Sequence, residues 1–340
     1  MNYKIAFLGF GNVGRALAEL LLRKRAELKS RYDIAFTLTG VSTARHGSVV
    51  KANGMDLSGA LDLVRTGRSL SLLTTTMVAG PLDFIRRCEA DVLFETTPVN
   101  YENGQPAIDY ARLALELGKH VITANKGSVV HAYRELRDLA QAKGRNFFFE
   151  STVMDGAPVF SLFRSALPAA QLKSFKGILN STTNLILTRM EDGETLEAAT
   201  DYAQRIGIAE TDPAGDVDGW DAAVKVAALA TVLMDIPTKP AEIPRSGIRE
   251  ITSEMVKDAK ARGLRYKLIC SAERNGDQLQ ACVGPELVPV TSPFYGIEGA
   301  TSMIQFTTDV LGQLILVEPD PGPQTTAYGM LADFINAVKA

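Results

Sequence analysis

Along the first 150 residues, short β-type apolar runs alternate with stretches whose apolar positions recur every three to four residues. The runs cover residues 3–8, 34–42, 92–95, 120–124 and 146–150. Between them the helical period predicts helices over 14–29, 82–88, 105–117 and 132–143. Strands alternating with helices of this size build a parallel sheet with helices on both faces, so this half is predicted to be doubly wound α/β.

After Ala157 and Pro158 the pattern changes. Longer helical stretches fall at 158–165, 183–189, 195–206 and 218–234, and mixed strands follow at 266–272, 279–287, 302–307 and 313–317. A final helix, 326–338, is amphipathic through Met330, Leu331, Phe334, Ile335 and Val338, so its apolar stripe must pack on another element. The expected layout is a nucleotide-type domain over 1–150, an inserted α+β domain over 151–317, and a segment, 318–340, that returns to the first.

Composition narrows the function. The 340 residues hold 36 Lys+Arg against 39 Asp+Glu, a net charge of −3, and so lack the basic stripe that a nucleic-acid backbone demands. At 46% apolar and 22% charged the chain is globular rather than disordered. Cys88, Cys270 and Cys282 are too few and too far apart for a disulfide framework or a zinc site, which reads as cytoplasmic. The longest apolar stretch, 226–234, is far short of the roughly 20 residues that cross a bilayer, and the N-terminus lacks a signal-peptide pattern. Neither a membrane nor a nucleic acid is expected as a partner.

The first strand runs directly into Gly9-Phe10-Gly11-Asn12-Val13-Gly14 and then a helix. In this setting Gly9 permits a tight turn, Gly11 lets a pyrophosphate approach the backbone, and Gly14 lets the helix pack on the strand. The placement inside a β-α-β pattern favours a Rossmann-like dinucleotide site over a merely structural turn. The second strand ends Val41-Ser42-Thr43-Ala44-Arg45-His46, without the acid that bonds a ribose 2′-hydroxyl. Ser42, Arg45 and Lys51 suit a 2′-phosphate, so NADP is expected ahead of NAD; Arg45 also reads as a solvated loop residue.

Two segments carry candidate chemistry. Glu95-Thr96-Thr97-Pro98 and Thr123-Ala124-Asn125-Lys126-Gly127 both end predicted strands, where an open α/β sheet binds its ligands, and this makes Lys126 a candidate beside the plainer reading of a surface lysine. Farther along, Glu210, Asp212, Asp216, Asp218 and Asp221 crowd into twelve residues ahead of Lys225. Such carboxylates repel one another unless a cation sits among them. Asp221 and Lys225, four residues apart, share one helix face, and a lysine beside a carboxylate can move a proton to or from an alcohol. Asp216 or Asp218 also fits a helix N-cap. A calcium loop is excluded, since its first and last ligand positions hold Ala214 and Lys225. Residues 177–184 read as a strand end entering a helix, rich in hydroxyl and amide groups suited to a carboxylate or to capping, while His120 and His131 read as structural.

Together these stretches resemble homoserine dehydrogenase. The resemblance is carried in order by 9–14, Glu95-Thr96-Thr97-Pro98 with Asn100, 118–127, 177–184 and 210–225, with a looser match at 299–301 and in the last helix. It implies reversible hydride transfer between a nicotinamide and a terminal carbon, interconverting L-homoserine and L-aspartate 4-semialdehyde. On that resemblance Lys225 is the general acid/base, Lys126 assists at the oxygen or the nicotinamide, and Asp216 orients Lys225. Glu210, Asp221 and Thr183 hold the amino-acid substrate, Thr97 lines the nicotinamide face with Thr96 also at the cofactor, and Gly207 and Gly322 approach the cofactor. The family's monovalent-cation loop corresponds to 150–158, but Met154 and Asp155 replace glycines, which leaves sodium at Glu150, Val153, Asp155 and Ala157 an open alternative. The second domain resembles the part through which these enzymes form homodimers by extending a sheet. With the last helix so near Ala340, no regulatory ACT module or fused kinase is expected. The rivals are a dehydrogenase of a related polar amino or hydroxy acid and a catalytically silent dinucleotide sensor.

Overall fold

A computed structural model describes residues 1–340 except 75, 77, 210, 211, 277 and 340. The chain forms two compact units, Met1–Pro158 with Pro323–Ala340, and Val159–Gly322. In the first, β1 (Asn2–Leu8), α1 (Asn12–Tyr32), β2 (Ala35–Ser42), β3 (Ser48–Met55), α2 (Leu57–Arg65), α3 (Pro81–Arg87), β4 (Val92–Glu95), α4 (Ala107–Glu116), β5 (His120–Thr123), α5 (Lys126–Ala142) and β6 (Phe147–Phe148) follow in sequence. They make a six-stranded sheet of order β3-β2-β1-β4-β5-β6, parallel throughout except for β3. The chain order reverses between β1 and β4, and the register sets Leu8 beside Glu95 and Glu95 beside Thr123 at one carboxyl edge. That edge is where a doubly wound sheet opens a crevice.

The C-terminal helix (Pro323–Lys339) closes this core. Met330 and Phe334 are fully buried, and the Phe334 ring meets that of Phe94 edge-on at 5.6 Å. Each such side chain contributes roughly 1.5–3 kcal/mol. Residues 151–158, expected in the inserted domain, belong instead to this unit. Ser151 Oγ donates to the Thr326 carbonyl at 2.7 Å, and Gly156 lies so close to Thr325 that a Cβ there would come within 2.4 Å of its carbonyl oxygen. Residues 318–322 belong to the second unit, since Glu318 pairs with Ser302 in its sheet.

The second unit contains α6 (Val159–Ser161), β7 (Leu172–Ile178), α7 (Ser181–Glu191), α8 (Leu196–Arg205), α9 (Ala214–Val217), α10 (Trp220–Leu233), α11 (Ser253–Ala261), β8 (Leu264–Asn275), β9 (Gln278–Pro289), β10 (Ser302–Thr308) and β11 (Gln313–Glu318). Its strands form an antiparallel sheet of order β11-β10-β7-β8-β9. The helix expected over 218–234 is α10, which begins at Trp220 rather than at 218. Gly219 adopts φ +78° between α9 and α10 and takes the N-cap position of α10 without any side-chain cap, so neither Asp216 nor Asp218 caps that helix. Among the described residues no helix is long and apolar enough to cross a membrane.

Candidate active site

The Gly9–Gly14 turn has the geometry its spacing calls for. Gly9 sits at φ +91°, where a Cβ would lie 2.6 Å from the Thr96 backbone, and a Cβ on Gly14 would lie 2.9 Å from the Gly9 carbonyl oxygen. Around Gly11, by contrast, a Cβ would meet nothing within 4 Å. Gly11 is the N-cap of α1, with no side-chain cap and no acid in the first turn, so the first N–H groups of that helix face outward as an anion site. Phe10 is buried against Phe7, while Asn12 and Val13 open the helix. These features fit a dinucleotide pyrophosphate. At the end of β2, Ser42 is buried and exchanges a 2.7 Å hydrogen bond with Ser48, and Arg45 is exposed.

Two loops beyond β4 and β5 are tied together from below. Glu95, fully buried, accepts hydrogen bonds from the Thr97 N–H, the Thr97 hydroxyl and the Thr123 hydroxyl. Burial pushes its carboxyl up, and those hydrogen bonds pull the other way. Asn125 Nδ2 donates to the Thr97 and Pro98 carbonyls at 3.1 and 3.2 Å, and its Oδ1 caps α5 by accepting from Gly127 N–H at 3.0 Å. Lys126 is therefore the first residue of α5, half-buried, on a rigid mount. The Thr96 hydroxyl donates to the Gly9 carbonyl at 3.1 Å, so Thr96 and Thr97 both brace the crevice with their side chains.

In the second unit a tight polar cluster forms where β7 meets α10. Lys225 Nζ donates to the Leu179 carbonyl at 2.6 Å and pairs with Asp221 at 3.2 Å, as the four-residue spacing requires. Asp221 thus makes the contact with Lys225 that its place on the same helix face predicts. Asp216, on α9, is reached through Asn180, whose Nδ2 donates to Asp216 at 2.6 Å and to Asp221 at 3.0 Å. Burial and then the Asp221 charge push the Asp216 carboxyl up. Thr183, fully buried, donates from its hydroxyl to the Asn180 carbonyl within the first turn of α7. Glu210 lies outside the described residues. A strap at 244–249 holds the acidic turn: Ile248 N–H donates to Val217, Arg249 forms a two-point ion pair with Asp218, and a Cβ on Gly247 would come within 2.0 Å of the Val217 carbonyl. No local pattern marks Gly247 in the sequence.

Gly207 sits at φ +77° just past α8, where the N–H groups of Gly207 and Ile208 return to Gln204 and Ala203, a conformation that favours glycine. Gly322 directly precedes the C-terminal helix. In the 150–157 loop, Glu150 N–H donates to Asp333 at 2.7 Å and the Asp155 carboxylate accepts from the Thr325 and Thr326 hydroxyls, while Ala157 N–H closes on the Met154 carbonyl and Val153 is buried. The Asp155 carbonyl also abuts Gly329, so both the backbone and the side chain of Asp155 lie against the C-terminal helix.

The comparisons with known proteins agree with this geometry. A family model described as "Homoserine dehydrogenase, NAD binding domain" matches residues 9–150, and one described as "Homoserine dehydrogenase" matches 158–335. The chain belongs to the homoserine dehydrogenase family. Among its relatives, the NAD(+)-dependent homoserine dehydrogenase of Pseudomonas canavaninivorans is 36% identical over 337 residues, covering 98% of this chain and 96% of that one. The homoserine dehydrogenase of Methanocaldococcus jannaschii is 34% identical over 334 residues, covering 98% and 97%. A solved hyperthermophilic archaeal homoserine dehydrogenase in complex with NADPH has a TM-score of 0.84 and 30% identity, covering 100% of this chain and 98% of that one. The chain is accordingly an NAD(P)-dependent oxidoreductase of a CH–OH group, interconverting L-homoserine and L-aspartate 4-semialdehyde. Neither rival reading is favoured.

Proposed function

We propose that Lys225 is the general acid/base of this reaction. The carrying observation is its donor count: of three N–H groups, one meets the Leu179 carbonyl and one Asp221, which leaves the third for a substrate oxygen. In the reducing direction Lys225 gives its proton to the carbonyl oxygen as the hydride reaches the carbon; in oxidation it takes the hydroxyl proton. The bound nicotinamide supplies or accepts the hydride. Asp216 and Asp221, with Glu210, attract the substrate ammonium. Lys126 and its Asn125 mount support the crevice side, where positive charge favours alkoxide character.

A cofactor bearing a 2′-phosphate is the preferred reading, supported by the absence of an acid at the end of β2 and by the exposed Arg45 beside it. Two of the three named relatives differ on this point, one described as NAD(+)-dependent and one solved with NADPH. A homodimer is the preferred assembly, supported by β11, an edge strand that exposes Ile315 and Val317. The test of function is oxidation of NADPH, and in parallel NADH, by the purified protein with L-aspartate 4-semialdehyde. Turnover with a preference for NADPH is expected. No turnover with either would contradict the activity, and a preference for NADH would contradict the 2′-phosphate reading alone.

A further inference from the structure

We infer that Asn180 is a positioning residue, a neutral spacer that holds Asp216 and Asp221 apart as two carboxylates beside Lys225. The inference rests on Lys225 as the acid/base. Asn180 stands between β7 and α7, and its orientation is fixed because Oδ1 accepts from Thr183 N–H at 2.8 Å as the N-cap of α7. The amide nitrogen must then face the other way. Its two hydrogens divide between Asp216 Oδ1 at 2.6 Å and Asp221 Oδ2 at 3.0 Å, and Asn180 is 3% exposed. Every polar hydrogen of the side chain is engaged.

The consequence follows from like-charge repulsion. Two carboxylates linked by one nitrogen lie within the 4–6 Å range over which such groups drive one another to hold a proton. A proton retained on either removes an anion from beside the Lys225 ammonium. The groups facing this pair come from several elements: Lys225 on α10, Thr182 on α7, and on β8 Cys270, whose buried thiol is pushed up to about 12 and so stays neutral. Among these described neighbours Lys225 is the cation, and the two N–H groups of Asn180, with the Thr182 side chain at Asp216, add hydrogen bonds that favour the anions.

Substitution separates the spacer role from the cap. Both Asn180→Asp and Asn180→Ser keep an N-cap acceptor for Thr183, but the first supplies no N–H donor and adds a charge, and the second supplies at most one donor from a shorter side chain. Both variants are expected to lose at least about tenfold in kcat/KM, the scale of a hydrogen bond to a charged group. The acid limb of the kcat/KM profile is expected to move upward by about one pH unit, because carboxylates that lose donors hold their protons longer. Thermal midpoints should stay near wild type. Midpoints that fall while the pH profile superimposes on that of wild type would reduce Asn180 to a cap and overturn the inference, and the serine variant carries the test if the aspartate variant does not fold. Lys225→Ala run alongside distinguishes the two levels: full activity there removes the acid/base reading itself, whereas an inactive Lys225→Ala beside an unaltered Asn180→Ser removes only the spacer.

Discussion

Lys267 on β8 is fully enclosed, its Nζ donating to Asn184 Oδ1 at 3.1 Å and to the Ile297 carbonyl at 2.5 Å. Burial pulls its pKa from 10.5 to about 8, with nearby Glu191 opposing and Arg265 reinforcing that shift. Between those values the unfolded chain binds one proton more than the folded one, so folding stability rises with pH across that window, by up to about 3 kcal/mol. Denaturation of wild type and Lys267→Met from pH 8 to 10.5 is expected to show the wild type gaining on the variant as pH rises; parallel curves would contradict the enclosed charge. At the other unit, Arg45→Ala is expected to weaken NADPH about tenfold and NADH little. Equal losses in titrations of both cofactors would place Arg45 among solvated loop residues. Such single-residue roles were legible in the sequence only when the partner is local. Asp221 and Lys225, four apart on α10, announce themselves, whereas Asn180 reaches carboxylates 36 and 41 residues away and depends on how β7 meets α10.

At the scale of elements, period and punctuation predicted what is strongly patterned. The early strands, α1 and the C-terminal helix fall where their apolar spacing puts them. α5 begins six residues before the stretch predicted from 132, because Ala132 leaves helical geometry at φ −141° and interrupts the period there. β3 escapes the pattern since Lys51, Ala52 and Asn53 are exposed and Gly54 turns to φ +94°. α11 escapes it because only Val256 and Ala259 are buried. β11 carries the clearest consequence at this scale. Its alternation leaves Ile315 and Val317 exposed at 41% and 51% on one face of an edge strand, a surface suited to a second copy. Sedimentation velocity is expected to give a dimer for wild type and a monomer for Val317→Lys; a monomeric wild type would sink the dimer, and a dimeric variant would move the interface off β11.

For the molecule as a whole, the chemistry is divided between the two units in a way that composition alone does not reveal. The first offers an uncapped helix N-terminus beside an open glycine, with Glu95 and Asn125 bracing the loops around it. The second offers a lysine with two donors fixed and one left over, among carboxylates that Asn180 links. The first was legible as a motif. The second was legible as a list of charges with one local pair, Asp221 and Lys225, whereas the placing of Asp216 behind an amide came from the fold. The acid/base role of Lys225 is the claim on which the proposed reaction turns. Its most direct measurement is kcat of Lys225→Ala for reduction of L-aspartate 4-semialdehyde with saturating cofactor, with cofactor affinity measured separately on the same preparation. A loss of at least about 100-fold with cofactor binding retained is the expected result; turnover equal to wild type would contradict it.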